Sequence, residues 1–141
     1  MKTFRNLVGS FIVIAALGLV SAFAQSTVRM TVDVPFAFNA GSQALPAGQY
    51  TFVTAGDSSI AYLYDQSGKH RTALLTNLDN GKAPAKGAAL VFHRYGNQTY
   101  FAGAWSALSA SGRVVPETRG EKEAAKANPL PEVAMVHARV Q

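Results

Sequence analysis

The chain has 141 residues, 48% of them hydrophobic, with 13 Lys and Arg against 8 Asp and Glu and a formal charge of +5. That length makes one domain with a real core. A charge so small, carried by residues scattered from Arg29 to Arg119, excludes the clustered basic face of a nucleic-acid binder. Cysteine is absent, which excludes disulfides, thiol nucleophiles and a thiol-linked lipid anchor.

The first 24 residues carry the pattern of a secretory leader. Lys2 and Arg5 form a basic head, Leu7 to Val20 an apolar run, and Ala22 and Ala24 the small-residue pair that precedes cleavage before Gln25. Gly9, Ser10 and Gly18 interrupt the run, which is shorter than the about 20 apolar residues a membrane span needs. No later run is long and apolar enough to span a membrane. The expected product is a single β-rich domain, residues 25–141, in the periplasm, at the cell surface or outside the cell. Lys2 and Arg5 leave with the leader, lowering the formal charge from +5 to +3.

Period-two alternation dominates the rest. Val28, Met30, Val32 and Val34 alternate with polar residues, as in a strand with one buried face. Phe36 and Phe38 resume the apolar face after Pro35. Leu45-Pro46-Ala47-Gly48 is a turn that feeds a strand through Tyr50 and Phe52. Breaks at 56–59 and at Ser67-Gly68 delimit strands over 60–65 and 70–75, with Asp65 expected to face His70 in an exposed ion pair. Residues 77–87 read as a polar loop.

Next comes a strong hairpin, 89–95 and 98–105 about Gly96-Asn97. Its register puts Leu90, Phe92, Phe101 and Trp105 on a core face. Val91, His93, Tyr95, Tyr100 and Ala102 fall on the other. A short helix or frayed segment over 116–128 follows, with Pro116 in its first turn, an Arg119–Glu123 pair and Gly120 weakening it. Residues 132–140 read as a last strand or a tail. Turn signals about every 8 to 12 residues indicate an all-β fold, a single antiparallel sandwich or small barrel with a short C-terminal helix.

The ordered strings Val34-Pro35-Phe36-Ala37-Phe38, Leu45-Pro46-Ala47-Gly48-Gln49-Tyr50 and Leu90 to Asn97, followed by Tyr100-Phe101 and Trp105, resemble a family of small exported bacterial proteins abundant in Acidobacteria. Gly112-Arg113, Glu121 and Glu123 resemble that family's polar end, and the likeness spans residues 28 to 126. It implies export and a β domain, and no activity.

Candidate sites are sparse. His93, Tyr95 and Tyr100 converge on one face of the hairpin and are the candidate ligand contacts, although aromatic cross-strand pairs also simply stabilise sheets. Arg94 points to the opposite face, towards a carboxylate partner. His70, His93 and His137 are too far apart in sequence to suggest a metal site, and no cofactor is expected. No nucleophile elbow, phosphate loop or dinucleotide fingerprint occurs. Asp33, Asp57, Asp65 and Asp79 sit at turns or on wet faces. Asn97-Gln98-Thr99 matches a glycosylation sequon, with Asn97 explained by turn geometry. Tyr50, Tyr62, Tyr64, Tyr95, Tyr100 and Trp105 suit either half-buried strands or a surface for carbohydrate or lipid. The sequence therefore predicts a non-enzymatic exported protein acting by binding or as an envelope component. The alternatives are an extracellular enzyme with an unidentified carboxylate site and a β-barrel carrier of a small apolar ligand.

Overall fold

The computed structural model describes residues 27–56, 58–84, 86–107 and 111–139, so residues 1–24, expected to be a leader, and the expected cleavage before Gln25 lie outside the described residues. Two curled sheets pack face to face. The first is antiparallel throughout and runs β1 (Thr27–Val34), β4 (Gly48–Ala55), β5 (Ile60–Asp65), β6 (His70–Leu75). The second runs β11 (Glu132–His137), β8 (Ala89–Tyr95), β9 (Gln98–Trp105), β10 (Gly112–Val114), β7 (Asn77–Asp79). A small hairpin of β2 (Phe38–Ala40) and β3 (Gln43–Leu45) joins β9 through a parallel bridge, Asn39 to Tyr100. The one described helix, α1 (Arg119–Ala127), connects β10 to β11. The all-β sandwich with a short C-terminal helix is the fold the sequence indicates.

Alternation explains the core. Met30, Val32 and Val34 of β1 and Tyr50 and Phe52 of β4 point inward against Leu90, Phe92 and Phe101 of the second sheet. The V-P-F-x-F string places two rings, Phe36 and Phe38, each with its centroid 5.1 Å from that of Phe92 in edge-to-face contact. Phe92 in turn meets Phe101 at 5.6 Å. The L-P-A-G-x-Y string is a corner: buried Tyr50 donates its phenol to the Pro46 carbonyl at 2.6 Å, satisfying a polar tip inside the core. Along the seam between the sheets β1 approaches β11, and within the second sheet Ala138 N–H donates to the Ala88 carbonyl, extending the β11–β8 ladder.

The structure corrects several local expectations. In the central hairpin Tyr95–Gln98, His93–Tyr100 and Phe92–Phe101 pair as the turn dictates, but the register then shifts between Val91 and Phe92. Val91 faces Gly103, so Ala102 is the extra residue of a bulge, and a one-residue slip exchanges the two faces beyond it. Ala104, not Trp105, therefore joins Phe101 in the inter-sheet core, and Trp105 lays its indole across Gly112. A second register shift, in the β5–β6 hairpin, sets His70 opposite Tyr64. Asp65 instead turns its carboxylate to the Ser67 and Lys69 amides (3.0 Å each) and to Arg71 at 3.6 Å. The hydrogen bond from the Ser67 hydroxyl, first, and those amides hold its pKa below the usual carboxylate range.

Residues 77–79, expected as loop, pair with β10. Residues 132–137 form a true edge strand on β8, which decides between strand and tail. Helix α1 starts later than Pro116 suggests, because Thr118 caps it: its hydroxyl accepts from the Glu121 amide at 3.1 Å. Glu123 pairs with Lys126 at 2.9 Å rather than with Arg119.

Candidate functional site

The second face of the 89–105 hairpin is covered by the chain itself. Because α1 spans the connection from β10 to β11 on the outside of the second sheet, it lies over β8, and its residue Glu121 is only 3% exposed. Glu121 Oε1 accepts from the Tyr95 hydroxyl at 3.1 Å and lies 3.0 Å from His93 Nδ1. Facing a carboxylate oxygen, which can only accept, Nδ1 is the protonated ring nitrogen. Tyr100 is 7% exposed, donates to Gln98 Oε1 at 2.8 Å, and packs its ring 6.0 Å from that of Tyr95. Burial, then the Glu121 charge, pushes the Tyr95 phenol up to about 12 and raises Tyr100 as well.

The structure thus brings His93, Tyr95 and Tyr100 together, as the hairpin register predicts, and gives them a partner from the same chain. The arrangement is a latch: one buried carboxylate tying a helix to two strand residues. None of the three clefts described for the chain, of about 350 to 560 Å³, is lined by any of these residues. The partner missing from the sequence reasoning is Glu121. The Thr118-x-x-Glu121 spacing, that of a capping box, marks Glu121 as lying in the first turn of a helix but does not announce its contact with β8. Arg94, on the other face, stacks its guanidinium 5.1 Å from the Phe36 ring centre and reaches the Thr99 hydroxyl, where a carboxylate partner was expected.

Among the described residues no group of three or more His, Asp or Glu is placed to hold a metal, and His70, His93 and His137 lie on different strands, β6, β8 and β11. No described helix is long and apolar enough to cross a membrane.

The tyrosines sort cleanly by exposure. Tyr50, Tyr95, Tyr100 and Trp105 are buried. Tyr62 and Tyr64 stand on the outer face of the first sheet, where Ala61 and Leu63 take the core positions between and beside them. The rings of Tyr62, Tyr64 and His70 form a cluster with centroids 5.6 to 6.5 Å apart. Directly paired Ile60 and Leu75 extend it, at 43% and 63% exposure. Val53, opposite Tyr62, and Thr51, opposite Tyr64, continue the same face onto β4.

Compared with family models, with curated proteins and with solved structures, the chain matches none.

Proposed function

We propose that this chain is an exported, non-enzymatic β domain of the periplasm, cell surface or medium, working by binding or as an envelope component through the outer face of its four-stranded sheet. The observation that carries this is the open ring cluster of Tyr62, Tyr64 and His70, bordered by Ile60 and Leu75. Aromatic rings with polar tips suit the alternating apolar and hydroxylated surfaces of carbohydrate-rich polymers. The hairpin face around His93, Tyr95 and Tyr100 is a poorer contact surface, because helix α1 already occupies it. The leader signature of residues 1–24 and the V-P-F-x-F, L-P-A-G-x-Y and L-V-F-H-R-Y-G strings support export and a place among small exported bacterial β proteins.

Two measurements test this. The intact mass of protein recovered outside the cytoplasm should correspond to a chain starting at Gln25; a mass that retains residues 1–24 contradicts export by cleavage. Co-sedimentation of that product with purified envelope polymers should fall by at least about tenfold for the double variant Tyr62→Ala/Tyr64→Ala, given that stacked rings dominate such contacts. Unchanged sedimentation removes the outer face from the account.

A further inference from the structure

A second surface feature is independent of that reading. Where β1 meets the segment leading into β8, the end of β9 and the chain beyond β11, a cleft of about 560 Å³ opens at the seam of the sandwich. Its volume lies within the range of small-molecule sites. Small side chains make the room: Ala88, Ala107 and Ala138 line it together with Met30, whose side chain belongs to the core. The Ala138–Ala88 backbone hydrogen bond continues the β11–β8 ladder past His137–Ala89, so the two second-sheet segments that line the cleft are fixed relative to each other.

The lining is basic as well as apolar. Arg29, Lys86 and Arg139 all contribute to it. Arg139 is neutralised by an ion pair with Asp33 across the seam. Arg29 and Lys86 face no carboxylate among the described residues. Two cations with no carboxylate partner among the described residues, beside an apolar recess, define one ligand chemistry: a single anionic head on a short hydrocarbon tail. A purely apolar ligand would leave the cations unused, and a free inorganic anion would leave the alanine-lined recess wet.

We infer that the cleft lined by Arg29, Met30, Lys86, Ala88, Ala107 and Ala138 binds a small amphiphilic anion, its carboxylate or phosphate monoester held by Arg29 and Lys86 and its tail laid against Met30 and the three alanines. The two headgroup types share this chemistry and differ in source, a free fatty acid against a lipid phosphate. The test follows amide chemical shifts of the protein, purified as its cell delivers it, during titration with sodium octanoate, octyl phosphate, octylamine hydrochloride and inorganic phosphate. Octanoate or octyl phosphate should move the amides of residues 29–31, 86–88, 106–107 and 138–139, and the tighter of the two names the head. Decanoate should bind more than about tenfold tighter than octanoate, since each buried methylene contributes close to fourfold. Arg29→Glu/Lys86→Glu should weaken octanoate at least tenfold. Ala107→Trp, at an exposed position, should block it while leaving the rest of the spectrum in place. Equal binding of octylamine or of inorganic phosphate, shifts centred elsewhere, or no shift up to millimolar octanoate and octyl phosphate would overturn the inference.

Discussion

A carboxylate as buried as Glu121 is tolerable only when its oxygens are satisfied, and here a phenol and an imidazole both converge on Oε1. Glu121→Ala leaves both donors facing an apolar methyl group. The expected loss is about 1–3 kcal/mol, read as a drop in the denaturant midpoint. Glu121→Gln, which keeps an acceptor oxygen, should lose less. An equal loss for both would mean that the latch contributes through packing rather than through its acceptor.

The same cluster makes alkaline stability a residue-scale prediction. The folded-state pKa of Tyr95 is raised, to about 12, and those of Tyr50 and Tyr100 are raised too, chiefly by burial. A neutral phenol favoured by the fold contributes stability that is complete below the ordinary tyrosine pKa of about 10 and is lost as pH climbs through the folded value. Unfolding free energy should therefore hold near pH 9 and fall between about pH 10 and 12. Tyr95→Phe should fall less steeply over that window. A flat profile to pH 12 in the parent protein would refute this account of the buried phenols.

At the scale of elements, two glycines carry opposite predictions. Gly120 sits inside α1, and a methyl group there would meet the Tyr100 hydroxyl at 3.5 Å, an ordinary contact. Gly120→Ala should stabilise the protein by about 0.5–1 kcal/mol through helix propensity. Gly112 pairs with Trp105 on β9, and a methyl group there would come within 2.5 Å of the indole. Gly112→Ala should destabilise by about 1–3 kcal/mol and disturb the fluorescence of the single tryptophan. Thermal unfolding of the two variants side by side checks both signs.

These elements also mark what the sequence could convey. Strands with strict alternation, such as β1 and β4, and a hairpin with a Gly-Asn turn declare themselves, because period and turn chemistry are local. The bulge at Ala102 is signalled only by Gly103, a glycine inside a strand, which does not say whether a bulge or a close backbone approach is the reason. Its consequence, the transfer of Trp105 to the other face, was therefore invisible. Strands β7 and β10 are three residues each and exist through pairing with each other and with β9, a tertiary effect no short window carries. At the candidate site the rings were legible and their partner was not: Glu121 lies 28 residues from His93, and only the crossing of α1 over β8 brings them together.

For the whole molecule, the two sheets divide the labour. The second sheet has part of its outer face closed by the helix and its carboxylate latch. The first leaves Ile60, Tyr62 and Leu75 open to solvent, with Tyr64 and His70 packed beside them. Exposed apolar and aromatic residues that cluster on one face mark contact surfaces, and this clustering is what the proposed function rests on. The seam between the sheets adds a smaller, cation-lined recess with its own ligand chemistry.

The central claim, that aromatic side chains are open on one sheet and sealed beneath the helix on the other, is tested most directly by tyrosine nitration under native conditions followed by peptide mass spectrometry. Tyr62 should label first, and Tyr50, Tyr95 and Tyr100 should stay unmodified until the fold is lost. Labelling of Tyr95 and Tyr100 as fast as Tyr62 would mean that helix α1 does not close the hairpin face, and would contradict the account.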